Sequence, residues 1–173
     1  LDYTVNCAIG YPLVTGPVGS SEPVNHVLPA WDLICGQTAA IAILAADRRR
    51  ILHGEGAQMS LALSDVALVA VSALGHVGEA QITGTERQRF GNDLYGAYGT
   101  TFTCVDGTLV YAVGISPKQW SGLLEATDAT VAVASLEADL GSNFRDEGER
   151  FLHREAVTAK IAPWIAGHTI DEV

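Results

Sequence analysis

Few residues in this chain of 173 stand where chemistry could be done, and Asp32 is the first of them. It follows Pro29-Ala30-Trp31 and opens a stretch that is otherwise apolar. An Asp at a helix start is ordinarily an N-cap, its side chain accepting the backbone N–H groups that the first turn leaves free. A carboxylate held there can also be aimed outward as a nucleophile, because the positive end of the helix dipole favours an anion. Pattern alone favours the cap and leaves the nucleophile open. Asn25 and His26, in Val24-Asn25-His26-Val27, read as a turn residue and a loop hydrogen-bonder. Asp65 reads as a second cap, and Trp31, Trp120 and Trp164 read as packing. The glycine-rich stretch Gly91 to Gly99 is either a flexible connection or a lid that closes over a ligand.

Other chemistries lack their motifs. There is no GxGxxG after a strand, no GxxxxGK[ST], no HExxH and no GxSxG elbow, which removes the usual warrants for nucleotide-cofactor, P-loop, zinc-protease and serine-hydrolase readings. Ten Lys plus Arg against 20 Asp plus Glu give a net charge of −10, and the only basic cluster is Arg48-Arg49-Arg50, so a surface that tracks nucleic-acid phosphates is not expected. The acids concentrate after Arg89, with 12 acids and 5 bases there against 8 and 5 before, a first sign of two units. Cys7, Cys35 and Cys104 have no metal-binding spacing and read as buried thiols of a reducing compartment, by default the cytoplasm. The longest apolar stretch, Leu33 to Ala46, is interrupted by Gly36-Gln37-Thr38 and reads as too short for a bilayer, so no membrane partner is expected.

The elements that must position these residues follow from periodicity. Residues 1–29 read as an apolar run and a turn-rich loop feeding a helix from Trp31 or Asp32 to about Arg50, apolar on nearly every face and therefore interior. Met59, Leu61 and Leu63 alternate with polar or small residues, a strand pattern, before a helix over Val66 to Val77. A polar linker and the glycine-rich loop then lead to a hairpin, Thr100–Cys104 and Leu109–Val113 around Asp106-Gly107. Ser116-Pro117 caps a helix over Lys118–Ala126, and Glu147–Ala166 forms another. The chain opens at Leu1 without Met and closes on Thr169-Ile170-Asp171-Glu172-Val173, where a Thr cap and two acids read as the start of a helix, so an internal piece of a longer protein is expected.

Pro29-Ala30-Trp31-Asp32, Gly36, Leu44-Ala45-Ala46 with its basic residues, His53-Gly54-Glu55-Gly56-Ala57-Gln58 and Leu63-Ser64-Asp65-Val66-Ala67-Leu68 together resemble the family III CoA transferases. In that family an Asp at this helix start precedes a TGxGQ turn by the separation of Asp32 from Gly54, so the resemblance makes Asp32 the catalytic aspartate. It runs through essentially all 173 residues. The implied fold class is α/β, with residues 1–80 the later part of a Rossmann-like large domain, 81–96 a linker and glycine-rich loop, and 97–173 a small α/β domain truncated at its C-terminus. The family's N-terminal half, with many of its CoA contacts, is expected to be missing, and so is its C-terminal return to the large domain. Family chains interlock in pairs, so a homodimer is implied.

The implied chemistry is covalent. Asp32 attacks a thioester to form a mixed anhydride, and the freed CoA thiolate turns this into an aspartyl thioester that a carboxylate then takes over. No cofactor is implied, coenzyme A being part of an acyl-CoA substrate. Asp2-Tyr3-Thr4-Val5-Asn6, Thr15-Gly16-Pro17, Val24 to Asp32 and Gly91 to Gly99 resemble one branch, in which CoA moves between the two carboxyls of a single branched C5 unsaturated dicarboxylic acid. Asn25, His26, Gly91, Asn92, Asp93, Tyr95 and Gly96 are the implied substrate-binding residues, and the glycine-rich loop would shield the anhydride from water. Racemases of the same fold use a His in a GHD segment. Aligning that segment on Asp2 puts Leu1 in the His position, which argues against direct proton abstraction. The alternatives are an intermolecular CoA transferase, or an inactive fragment that only dimerises or binds CoA.

Overall fold

The structure, a computed structural model, describes residues 1–173 and divides into two units, Leu1–Arg89 and Phe90–Val173. The N-terminal unit is built from helices: α1 (Asp2–Ala8), α2 (Tyr11–Val14), α3 (Ala30–His53), α4 (Leu63–Ala73) and α5 (His76–Thr83). The C-terminal unit holds an antiparallel hairpin, β1 (Tyr98–Thr103) and β2 (Leu109–Gly114), followed by α6 (Pro117–Ala126), α7 (Thr130–Leu140), α8 (Glu147–Leu152) and α9 (Arg154–Ala166). The chain is thus mixed in class, and the hairpin is its only sheet.

Several expectations for the N-terminal unit need correction. The run Tyr3–Ile9 is not loop, because most of it lies in α1, and Val5 of that helix packs together with Ile9 just beyond it against Trp31, Ala67 and Val71. No strand covers residues 59–64: the residues before α4 carry no regular structure, and α4 starts at Leu63. A strand needs a neighbour for its N–H and C=O groups, and this unit offers none. Asp65 is the third residue of α4 and makes no cap hydrogen bond; the N-cap position falls on Ala62. The apolar stretch after Asp65 is broken at Gly75, whose left-handed φ of 82° lets the chain turn by 67° from α4 into α5.

The longest helix also differs from expectation. Helix α3 continues unbroken through Gly36-Gln37-Thr38, the Thr38 hydroxyl donating to the Ile34 carbonyl at 2.8 Å, and runs for 24 residues to a left-handed Gly54. By length and composition α3 could therefore cross a membrane, with a mean hydropathy of 1.2 over its most apolar window, a test that core helices of soluble proteins also pass. Within this chain it is not interior. Only Trp31 is buried, while Ile41, Ile43, Leu44, Ile51 and Leu52 are exposed, since no element here lies against those faces. The cysteines likewise are not all buried: Cys104 is, Cys35 is half-buried and Cys7 is exposed.

The C-terminal unit matches the local signals closely. Asp106 accepts the Thr108 N–H at 2.9 Å and Gly107 takes a φ of 80°, which closes the hairpin. Ser116 and Gln119 form a reciprocal capping box on α6, with Pro117 in the first turn. Gly114 is required where it stands, because a Cβ there would lie 2.8 Å from the Trp120 ring. That ring meets Tyr98 edge-on at 5.4 Å over a core shared with Phe102, Phe144 and the Val157-Ile161-Ile165 stripe of α9. Each of those three side chains is almost fully buried, contributing about 1.5–3 kcal/mol. The expected single helix over 147–166 is two, α8 and α9, joined at His153, which bonds Ser142 at 2.9 Å. Thr169 to Glu172 close a turn rather than begin a helix, Glu172 accepting the Thr169 N–H at 2.8 Å.

Candidate active site

The start of α3 is capped from outside the helix. Its N-cap residue is Pro29, which has no side-chain acceptor, and the carboxylate that serves the first turn belongs to Asp2. Asp2 Oδ2 accepts the backbone N–H of Trp31 at 2.7 Å and of Asp32 at 3.1 Å. Asp32 itself is the third residue of the helix, exposed, and its carboxylate takes no hydrogen bond from the chain. The cap reading of Asp32 is therefore wrong. Because another carboxylate does that work, Asp32 keeps both oxygens available at the positive end of a helix.

Asn25 and His26 converge on the same support. The other Asp2 oxygen, Oδ1, meets His26 Nε2 at 2.5 Å. Asn6 donates from its amide to Asn25 Oδ1 at 2.9 Å and accepts from the Trp31 indole at 3.1 Å, and Asn25 Oδ1 also takes the His26 N–H at 3.0 Å. Asp2 and Asn6 are nearly fully buried, with 3% and 2% exposure, so these bonds form in a region that water does not enter freely. His26 stacks edge-on to Tyr3 at 5.5 Å, which fixes its ring. The chain thus gathers Asn25, His26 and Asp32 around two residues, Asp2 and Asn6, that the sequence reading did not single out as parts of the site. Their signal was available: two polar residues four apart, in a run otherwise rich in apolar residues, place both on one helix face.

Gly91, Asn92, Asp93, Tyr95 and Gly96 belong to the C-terminal unit. There the glycine-rich loop is tied down. Arg154 donates to Asp93 Oδ2 at 2.9 Å, the Thr100 hydroxyl to Asp93 Oδ1 at 2.7 Å, and the Asn92 amide to the Thr101 hydroxyl at 3.1 Å. Phe90, Tyr95 and Phe151 form a ring triangle with centroids 5.1–5.2 Å apart, and Arg154 lies over Phe151. Gly96 turns at a φ of 78°, and the Leu94 N–H closes the loop on Gly99 O at 2.8 Å. Tyr95 remains half-exposed beside these contacts. No group of three His, Cys, Asp or Glu is arranged to hold a metal ion.

A buried carboxylate thus frees a second one at the start of a helix. The family model for CoA-transferase family III matches residues 1–173. The chain belongs to CoA-transferase family III. It is 46% identical over all 173 residues to the 2-methylfumaryl-CoA isomerase of Chloroflexus aurantiacus, covering 42% of that protein. It is 29% identical over 147 residues to the succinyl-CoA:mesaconate CoA-transferase of Haloarcula marismortui, with 84% of this chain and 34% of that protein aligned. The chain therefore spans less than half the length of these curated relatives. Among solved structures, 99% of it superposes on Rv3272 from Mycobacterium tuberculosis (TM-score 0.73, 19% identity, 42% of that chain). The same share superposes on a CaiB/BaiF family protein from Brucella suis (TM-score 0.65, 20% identity, 43% of that chain). At these identities the two structures speak to fold alone.

Proposed function

We propose that this chain carries the covalent centre of a CoA transfer, with Asp32 as nucleophile. The observation that carries the reading is the division of labour at the start of α3, where Asp2 caps the helix and leaves the Asp32 carboxylate exposed and unpartnered. One Asp32 oxygen attacks the thioester carbonyl and CoA leaves as thiolate, giving a mixed anhydride. The thiolate attacks the Asp32 carbonyl of that anhydride and releases the acid as carboxylate, leaving an aspartyl-CoA thioester. An acceptor carboxylate then repeats the two steps in reverse and restores Asp32. Asn25 and His26, tied to the Asp2 that caps this helix start, are proposed to contact the substrate, and Gly91, Asn92, Asp93, Tyr95 and Gly96 of the C-terminal unit are separately proposed as substrate-binding residues. The helices of residues 1–80 are read as part of a Rossmann-like large domain, and 97–173 as a small α/β domain.

The substrate proposed is the CoA thioester of a branched C5 unsaturated dicarboxylic acid, with CoA moving between its own two carboxyls, as the identity to the isomerase suggests. An intermolecular transfer between two acids is the second reading, favoured by the likeness to the Haloarcula transferase. Incubation with 2-methylfumaryl-CoA and no free acid separates them. The intramolecular acceptor is held at high effective concentration, so the 3-methyl isomer should form at once. Transfer that begins only when a carboxylic acid is added would sink the isomerase reading and keep Asp32. Self-association is part of the proposal, supported by the apolar residues α3 exposes, and a reducing cytoplasm fits three unbridged cysteines.

A further inference from the structure

The hairpin of the C-terminal unit leaves one of its two long edges open. Leu94 donates its N–H to the Gly99 carbonyl at 2.8 Å from outside β1, and Cys104 donates to the Thr108 carbonyl at 2.8 Å across the end of the hairpin. In an antiparallel pair the N–H and C=O of one residue both point toward the partner strand or both away from it, and successive residues alternate. Gly99 therefore turns away from β2. Because Gly99 stands opposite Val113, the residues of β2 that turn away from β1 are Leu109, Tyr111 and Val113. None of their backbone groups has a hydrogen-bond partner in the chain.

No other element covers this edge. Leu109 is 66% and Tyr111 49% exposed, while Val110 and Ala112, on the opposite face, pack on the core. Open edges are usually blunted by a charge, a proline or a bulge, because a row of bare polar groups is a template for another strand. The β2 sequence, Leu109-Val110-Tyr111-Ala112-Val113-Gly114, has no charge and no proline, and its register with β1 is unbroken.

We propose that β2 pairs edge to edge with β2 of a second copy of this chain, antiparallel about a twofold axis at Tyr111. The symmetry selects the register. Centred there, Leu109 lies opposite Val113 of the second copy and Tyr111 opposite its own equivalent, so every outward N–H meets an outward C=O. A centre on Val110 or Ala112 would present groups that β1 already uses, and a centre on Leu109 or Val113 would leave outward groups unmatched. The strand is thus its own complement, with apolar side chains opposed and no like charges facing each other. One strand pair is a small interface, so the association is weak. The net charge of −10 opposes it, so salt strengthens it. The contact is separate from the apolar face of α3 and rests on no role given to Asp32.

Residue-resolved hydrogen exchange of the whole chain, at about 20 µM and about 1 mM protein, tests it. The Leu109, Tyr111 and Val113 amides should exchange freely in the dilute sample and at least about threefold more slowly in the concentrated one, with a larger effect at high salt. The Val110 and Ala112 amides, bonded within the hairpin, should not change. Tyr111→Lys sets two ammonium groups opposite each other across the axis and should erase the concentration dependence while Val110 and Ala112 stay protected. Leu109→Lys, at the most exposed position of the strand, should do the same if Tyr111→Lys does not fold. Exchange at Leu109, Tyr111 and Val113 that is independent of concentration, whether fast throughout or already slow in the dilute sample, would overturn the proposal. Concentration-dependent protection that survives in a folded lysine variant would overturn it as well.

Discussion

Replacing Asp2 by Ala should loosen the start of α3 more than any substitution at Asp32 itself. The change deletes three contacts, to the Trp31 N–H at 2.7 Å, the Asp32 N–H at 3.1 Å and His26 Nε2 at 2.5 Å. Asp32 is exposed, so water can replace the acceptor of its amide, but Trp31 is 4% exposed and its N–H would be left without one. An orphaned buried donor costs about 1–3 kcal/mol, and losing a cap costs about 1 kcal/mol. Allowing for overlap between these, Asp2→Ala should destabilise the N-terminal unit by about 2–4 kcal/mol. Asp2→Asn keeps one acceptor oxygen and should cost about half as much. Asp32→Ala, which removes no hydrogen bond, should stay within about 0.5 kcal/mol. Native-state hydrogen exchange at the Trp31, Asp32 and Leu33 amides reads the effect locally, and urea unfolding reads it globally. Equal losses for Asp2→Ala and Asp32→Ala, or unchanged exchange at Trp31, would refute the claim that Asp2 is the cap.

Three further outcomes follow from the packing. Gly114→Ala puts a methyl 2.8 Å from the Trp120 ring and should destabilise the C-terminal unit by about 1–3 kcal/mol in thermal or urea unfolding, with a neutral result contradicting the contact. Burial pushes the Tyr98 phenol up to about 12 from its ordinary 10, so the folded state holds its proton longer than the unfolded chain does. The resulting stability is fully present below pH 10 and should fade by about 2–3 kcal/mol as pH rises toward 12, a slope that Tyr98→Phe removes in parallel unfolding series. With Ile41, Ile43, Leu44 and Ile51 exposed on one helix, light scattering at micromolar concentration should show a dimer, and a clean monomer would contradict the proposed self-association.

What could be read in the sequence was what neighbouring residues decide between themselves. The Asp106-Gly107 hairpin and the Ser116-Pro117 cap are closed within a few residues, and both formed as expected, with Gln119 completing the cap. The alternation through Met59 and Leu61 was a true pattern without a partner strand, and pairing is a property of the sheet rather than of the segment. Helix α7 escaped notice because Val131, Val133 and its alanines spread small apolar residues over several faces. Asp32 was visible as a candidate, but its neighbourhood was not. The carboxylate that caps its helix stands 30 residues earlier, and the Asn6–Asn25 bond spans 19, distances over which periodicity carries no information. The ties of the glycine-rich loop were hidden in the same way, since the Asp93–Arg154 pair joins residues 61 apart.

The most direct measurement of the central claim is peptide mapping by mass spectrometry after the protein is mixed with an acyl-CoA substrate and quenched during turnover. Asp32 as nucleophile requires a CoA thioester on the peptide containing Asp32, absent from an Asp32→Asn protein that keeps the parent's melting curve and has lost turnover. Turnover persisting in Asp32→Asn, or a covalent adduct on any other residue, would contradict it.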